Sequence, residues 1–169
     1  MMNFLQKLIQ KEHKSSWDFF LMNLILRRVI PFNGPHKFKV SEIEPGKTVV
    51  EIPFRTSNKN HLRGLHACAM VTAAEYGSGL SLLYLFGLKD YRLIMKSLDA
   101  EYFKQGKSAS RAVYAYDEKA LRKQIAEGIE QEGKVFIQET VSIVDANDDE
   151  LCKVNVNWQL KPWSQVSFK

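Results

Sequence analysis

Glu75 is the one charged side chain in the run from position 67 to 86, which is otherwise dominated by alanine, leucine, methionine, valine, tyrosine and phenylalanine. An ionised carboxylate buried without a partner costs several kcal/mol, so such a group is paired, shifted in pKa, or used. Just upstream lies Asn58-Lys59-Asn60-His61-Leu62-Arg63-Gly64-Leu65-His66, a stretch dense in hydrogen-bonding groups. It opens onto the start of a helix, where free N–H groups and the positive dipole end suit a carbonyl oxygen or an anion. Gly64 lets the backbone bend or come close to a ligand. Ala67 and Ala69 keep the first turn open. Plainer alternatives stand beside these readings. Glu75 could simply reach a polar seam or a partner chain, and His66 could be a helix-start residue bonded to backbone.

Helix geometry constrains the pair. His66 and Glu75 are nine residues apart, which is about 13 Å along a helix and places them on roughly opposite faces. One chain cannot bring both to a single reacting atom. If both serve one site, a second copy must supply one of them, and the site lies between two subunits.

The elements that position these residues can be read from periodicity and punctuation. A first helix is expected over 16–29, capped by Ser15 or Ser16 and stopped by Pro31, after a helical turn or two within 1–14. Strands are expected over 36–44 and 48–56 around the turn Glu44-Pro45-Gly46-Lys47, with Pro53 at an edge or irregular position. A long helix follows over 65–86, apolar on every side and so expected to be buried all round. Two strands, 91–103 and 110–116, are joined through Lys104-Gln105-Gly106-Lys107. Asp117 caps a short helix over 118–127, closed by Gly128. The last strands are 135–144 and 151–160, the second alternating cleanly between apolar and polar residues. Hairpin-length connections imply an antiparallel sheet that must cover the apolar helix, an α+β domain. Residues 1–35 read as a helical segment packed on a main unit over 36–169, one domain overall.

Bulk properties exclude several classes. The net charge of +5 comes from 24 basic and 19 acidic residues spread along the chain, without the patch that marks a nucleic-acid binder. Cys68 and Cys152 form no CxxC pair and no histidine cluster offers zinc spacing, so both read as inert buried thiols in a reducing compartment and no metal is expected. The stretch 19–30 is broken by Asn23, Arg27 and Arg28, too short to span a bilayer and unlike a signal peptide. A cytoplasmic location is expected.

The arrangement resembles the hotdog-fold thioesterases, above all the phenylacetate-pathway type, and is closer still to an uncharacterised branch of that superfamily. Their pattern is an Asn, then Gly-x-x-His-Gly-Gly, then an acid in the helix. Here Asn58 or Asn60 precedes Gly64-Leu65-His66-Ala67-Cys68, and Glu75 stands at the family's spacing from the histidine. Ala67-Cys68 replaces the Gly-Gly, and Glu replaces Asp. The resemblance implies an antiparallel sheet wrapped around a long central helix, a dimer or dimer of dimers, and hydrolysis of an acyl-CoA thioester without a cofactor, coenzyme A being part of the substrate. It implies catalytic roles for Glu75, His66, Asn60 and the Ala67 N–H, and substrate contacts from Asn58, His61, Arg63 and Gly64. Arg63 and nearby lysines would meet the CoA phosphates, and the acyl tail would lie under the 17–30 helix. The competing reading is a hotdog module that binds acyl groups or acyl-CoA without turnover. A hydratase of the same fold would need a close Asp–His pair, which the sequence lacks.

Overall fold

The computed structural model describes residues 1–87 and 89–166; residues 167–169, counted in the expected main unit, lie outside the described residues. The helices are α1 (Met2–Gln10), α2 (Ser16–Val29), α3 (Ala67–Phe86) and α4 (Glu118–Glu132). The strands are β1 (Lys39–Glu44), β2 (Lys47–Ile52), β3 (Tyr91–Tyr102), β4 (Ser110–Ala115), β5 (Val135–Val144) and β6 (Glu150–Pro162). They form one six-stranded antiparallel sheet in the order β1-β2-β4-β5-β6-β3, and the sheet wraps around α3. No helix among the described residues is long and apolar enough to cross a membrane.

Several boundaries differ from the sequence expectation, each for a local reason. β1 starts at Lys39 because Lys37 holds a positive φ of 56°, which no strand residue adopts. β2 stops at Ile52, since Pro53 has no N–H to give the ladder. α4 runs past Gly128 to Glu132 and ends at Gly133, whose φ of 67° suits a helix end. Gly128 is glycine for another reason: a Cβ there would lie 2.6 Å from the side chain of Val135. The link after β3 is not a hairpin. β3 pairs only with β6 among the described residues, at the far edge, while β4 lies between β2 and β5. The N-terminal residues form a full nine-residue helix, burying Leu5, Leu8 and Ile9.

Ser15 is the cap of α2, in a reciprocal capping box with Asp18. Asn23 interrupts the apolar pattern of that helix because it faces the edge of β1. Its carboxamide donates to Val40 O at 2.9 Å and accepts from Val40 N at 2.8 Å. That edge strand therefore has side-chain partners where it would otherwise lack backbone ones.

The core between α3 and the sheet is apolar apart from a few hydroxyls and one carboxyl. Ser81 donates to Thr48 Oγ1, and the Trp158 indole N–H donates to Ser78 Oγ. Glu139 sits in β5 among the inward residues Val135, Ile137, Val141 and Ile143, and is only 3% exposed. Tyr114 OH donates to its Oε1 at 2.7 Å, and Ser78 adds a second hydroxyl nearby. Among the described residues Oε2 otherwise lacks a partner. Burial outweighs these contacts and pushes the carboxyl up to about 8, so Glu139 is a neutral acid at pH 7.

A carboxyl raised on folding stabilises the folded chain at low pH and opposes it as pH climbs through the folded pKa. For Glu139 the interval runs from the unfolded value of about 4.3 to about 8. Stability is expected to fall across it by on the order of a few kcal/mol. In Glu139→Gln, urea midpoints should be flatter with pH and should exceed those of the parent at pH 8.5. An unchanged pH slope would assign the titration to another group.

Candidate active site

The loop before α3 is built by two asparagines. Asn58, completely buried, accepts from His36 Nδ1 at 2.8 Å and donates to the carbonyls of His36 and Pro53, each at 2.9 Å. Its own carbonyl accepts from His66 N–H at 2.8 Å. Asn58 thus has no polar group left for a ligand, and the substrate contact expected of it is replaced by a scaffold role. Asn60 folds the tighter turn. Its Oδ1 accepts from the N–H groups of Leu62 and Gly64, and its Nδ2 donates to Leu65 O. Gln105 lies over Gly64: a Cβ there would stand 2.7 Å from the Gln105 amide nitrogen, so the side chain would have to move. The Leu65 N–H donates to Gly106 O at 2.8 Å and ties this loop to the β3–β4 link.

The loop delivers the N-terminus of α3. His66 is the cap, its Nδ1 accepting from Cys68 N–H at 3.1 Å, while its carbonyl accepts from the Ala69 and Met70 N–H groups. The helix-start alternative for His66 is therefore what its imidazole does in this chain. An accepting Nδ1 fixes the proton of the neutral ring on Nε2, leaving an outward donor. Among the described residues the Ala67 N–H has no acceptor. Ala67 faces a cleft of about 290 Å³ lined also by Asn60, Leu65, Met70, Tyr102, Phe103 and Gln105. His61 and Arg63 are exposed at the loop tip beside it, Arg63 with a φ of 63°.

Glu75 is half-buried, makes no ion pair among the described residues, and is pushed above the usual carboxylate range by burial. It ends a stripe formed with Cys68, Val71 and Thr72, the side of α3 that the sheet leaves partly open. Two expectations change here. The helix is not covered all round by its own chain, and Cys68 is exposed on its first turn. Cys152 is buried as expected. Ala67 and Glu75 are eight residues apart on the helix, about 12 Å along its axis, and Glu75 does not line the cleft. The structure brings Ala67 and Asn60 together with His66 beside them, and leaves Glu75 apart.

Residues 20–160 match a family described as a domain of unknown function, DUF4442. The chain belongs to that family. Among solved structures it is similar to a protein of unknown function from Pseudomonas aeruginosa, described as a probable thioesterase: 20% identity, 85% of this chain and 95% of that one covered, TM-score 0.74. A protein of unknown function from Chlorobaculum tepidum gives 12% identity, 95% and 96% coverage, and 0.70. A thioesterase from Haemophilus influenzae gives 10% identity, 95% and 99% coverage, and 0.68. The shared architecture is the hotdog fold. No protein of curated function matches the chain.

In this DUF4442 chain the cleft also contains residues that the sequence did not single out. Tyr102, Phe103 and Gln105 come from the end of β3 and the link beyond it. Gly64 was the available signal, since a glycine on a short polar loop marks a close approach, but nothing local says that Gln105 makes it. Among the described residues no group of three His, Cys, Asp or Glu side chains is placed to hold a metal.

The two asparagine and histidine roles predict different costs. Asn58→Ala should lose about 2–4 kcal/mol of stability, because it strands His36 and two carbonyls in a buried site. His66→Ala removes one cap and should lose about 0.5–2 kcal/mol. Urea melts of both variants check the order; a near-parental Asn58→Ala would remove its scaffold role.

Proposed function

We propose that this protein hydrolyses an acyl-CoA thioester at a site assembled from two copies of the chain. The observation that carries the proposal is Glu75: a half-buried carboxyl without an ion-pair partner among the described residues, on the open stripe of a helix that is otherwise enclosed. One chain offers it no reacting atom, whereas a second chain set against that stripe can bring its α3 start to it. The exposed edge of β3 supports such a pairing. It carries Ile94 and Met95, 44% and 42% exposed, on a strand with no outer neighbour among the described residues. Fold similarity alone would not carry the reaction, since one fold hosts many chemistries.

In the proposed reaction the thioester carbonyl lies in the α3 cleft and accepts from the Ala67 N–H, a donor type typically worth about 2.7–4 kcal/mol in the transition state. His66, through its Nε2–H, orients the carbonyl or the water. Glu75 of the facing copy takes a proton from water as the oxygen attacks the carbonyl carbon. The tetrahedral intermediate collapses with cleavage of the C–S bond, the sulfur is protonated, and the acid and the CoA thiol leave. The raised pKa of Glu75 makes it a stronger base than an ordinary carboxylate. Asn60 acts through the loop it folds, because its carboxamide is already engaged. Arg63 and His61, both exposed, would meet the phosphate-bearing portion of CoA. The reaction uses no cofactor beyond the coenzyme A of the substrate itself.

Glu75→Gln should stay folded and keep its oligomeric state while thiol release from a panel of acyl-CoA chain lengths drops about 10²–10⁴-fold. Undiminished release would remove Glu75 from catalysis. The runner-up, a binding module without turnover, would raise the melting temperature with acyl-CoA while neither protein releases thiol.

A further inference from the structure

Helix α2 and the neighbouring ends of β1, β2 and β4 enclose a second groove, which shares no lining residue with the α3 cleft. It consists of adjoining cavities of about 320 and 460 Å³, both lined by Arg27 and Lys39, each in the size range of small-molecule sites. The first is walled by Phe19, Phe20 and Leu24. Phe20 is 55% exposed and stacks on the exposed Trp17, ring centroids 5.1 Å apart. The second is cationic. Lys39 is already paired with Glu51, which also lines this cavity, and Arg111 with Asp148. Arg27 and Lys37 have no acidic partner among the described residues. Among the described residues the Arg27 Nε is buried without an acceptor, a costly state for a charged donor, and no carboxylate neutralises the guanidinium that lines both cavities. One groove thus offers an apolar wall, a junction with an unmatched guanidinium, and a further free cation beyond it.

We propose that this groove binds a single-chain amphiphile with an anionic head, a long-chain carboxylate. The head accepts from Arg27, with Lys37 and Lys39 alongside, and the tail lies along Phe19, Phe20 and Leu24. The assignment is independent of thioester hydrolysis, because it needs neither Glu75 nor a second copy of the α3 cleft. The test is calorimetric titration of the full chain with laurate below its micelle threshold, set against dodecanol and dodecyl phosphate. Laurate should bind saturably, at least about tenfold more tightly than dodecanol, a ratio within the range of a charge-assisted hydrogen bond. Arg27→Met should remove that advantage and leave dodecanol binding unchanged. Phe20→Asp, at an exposed position, should weaken both. Equal affinity for laurate and dodecanol, or an Arg27→Met protein with parental laurate affinity, overturns the proposal. So does a tenfold preference for dodecyl phosphate, which would make the head a phosphate. Binding to anionic phospholipid vesicles without binding to monomeric laurate overturns it in favour of a membrane surface.

Discussion

A helix with no polar side must be covered on every side, and one six-stranded sheet cannot do that. This constraint organises the rest of the molecule. The sheet curls around α3 and buries most of it, from Ala69 to Leu85. Where the cover stops, at the first turn and along the stripe ending in Glu75, the exposed residues become chemically available. The polar groups admitted beneath the cover are either matched, as Ser81 and Thr48 are, or held neutral, as Glu139 is. Apolar burial on this scale, about 25 cal/mol for each Å² removed from water, tolerates one such acid but not an ionised one.

The start of α3 shows how a loop can be rigid without being apolar. Asn58 and Asn60 use their carboxamides as substitutes for backbone partners, and His66 uses its imidazole in the same way. After those bonds are made, the Ala67 N–H remains without an acceptor among the described residues. An N–H held in place by surrounding hydrogen bonds needs no reorganisation when charge develops on an oxygen nearby, which is what preorganised electrostatics means. The polar residues of this loop therefore divide into those that build it and those left over, and only the second group can meet a ligand.

Much of the fold was legible because its signals are local. Ser15, Pro31, Asp117 and the alternation in β6 mark element ends and faces without reference to partners. The long helix and the antiparallel sheet around it followed from the same kind of reading. What local signals could not give was adjacency. β3 and β4 are close in sequence, yet β3 lies against β6, because a short link suits a crossing as well as a hairpin. The same limit applies to the site. Asn60 and Ala67 could be placed at the cleft from their own segment, whereas Tyr102, Phe103 and Gln105 reach it only through the fold. Glu139 was in principle readable, as an acid in phase with the inward residues of β5. Residue type alone points the other way, because acids on strands are far more often outward.

The two edges of the sheet are unlike. Asn23 from α2 occupies the backbone groups of Val40 on one edge, and Lys14 donates to the Ile43 carbonyl farther along it. The other edge, β3, carries no such guard among the described residues. A chain with one sealed and one open margin can extend its sheet in a single direction. A strand added at β1 would have to displace Asn23 and Lys14, whereas one added at β3 meets no such obstacle among the described residues.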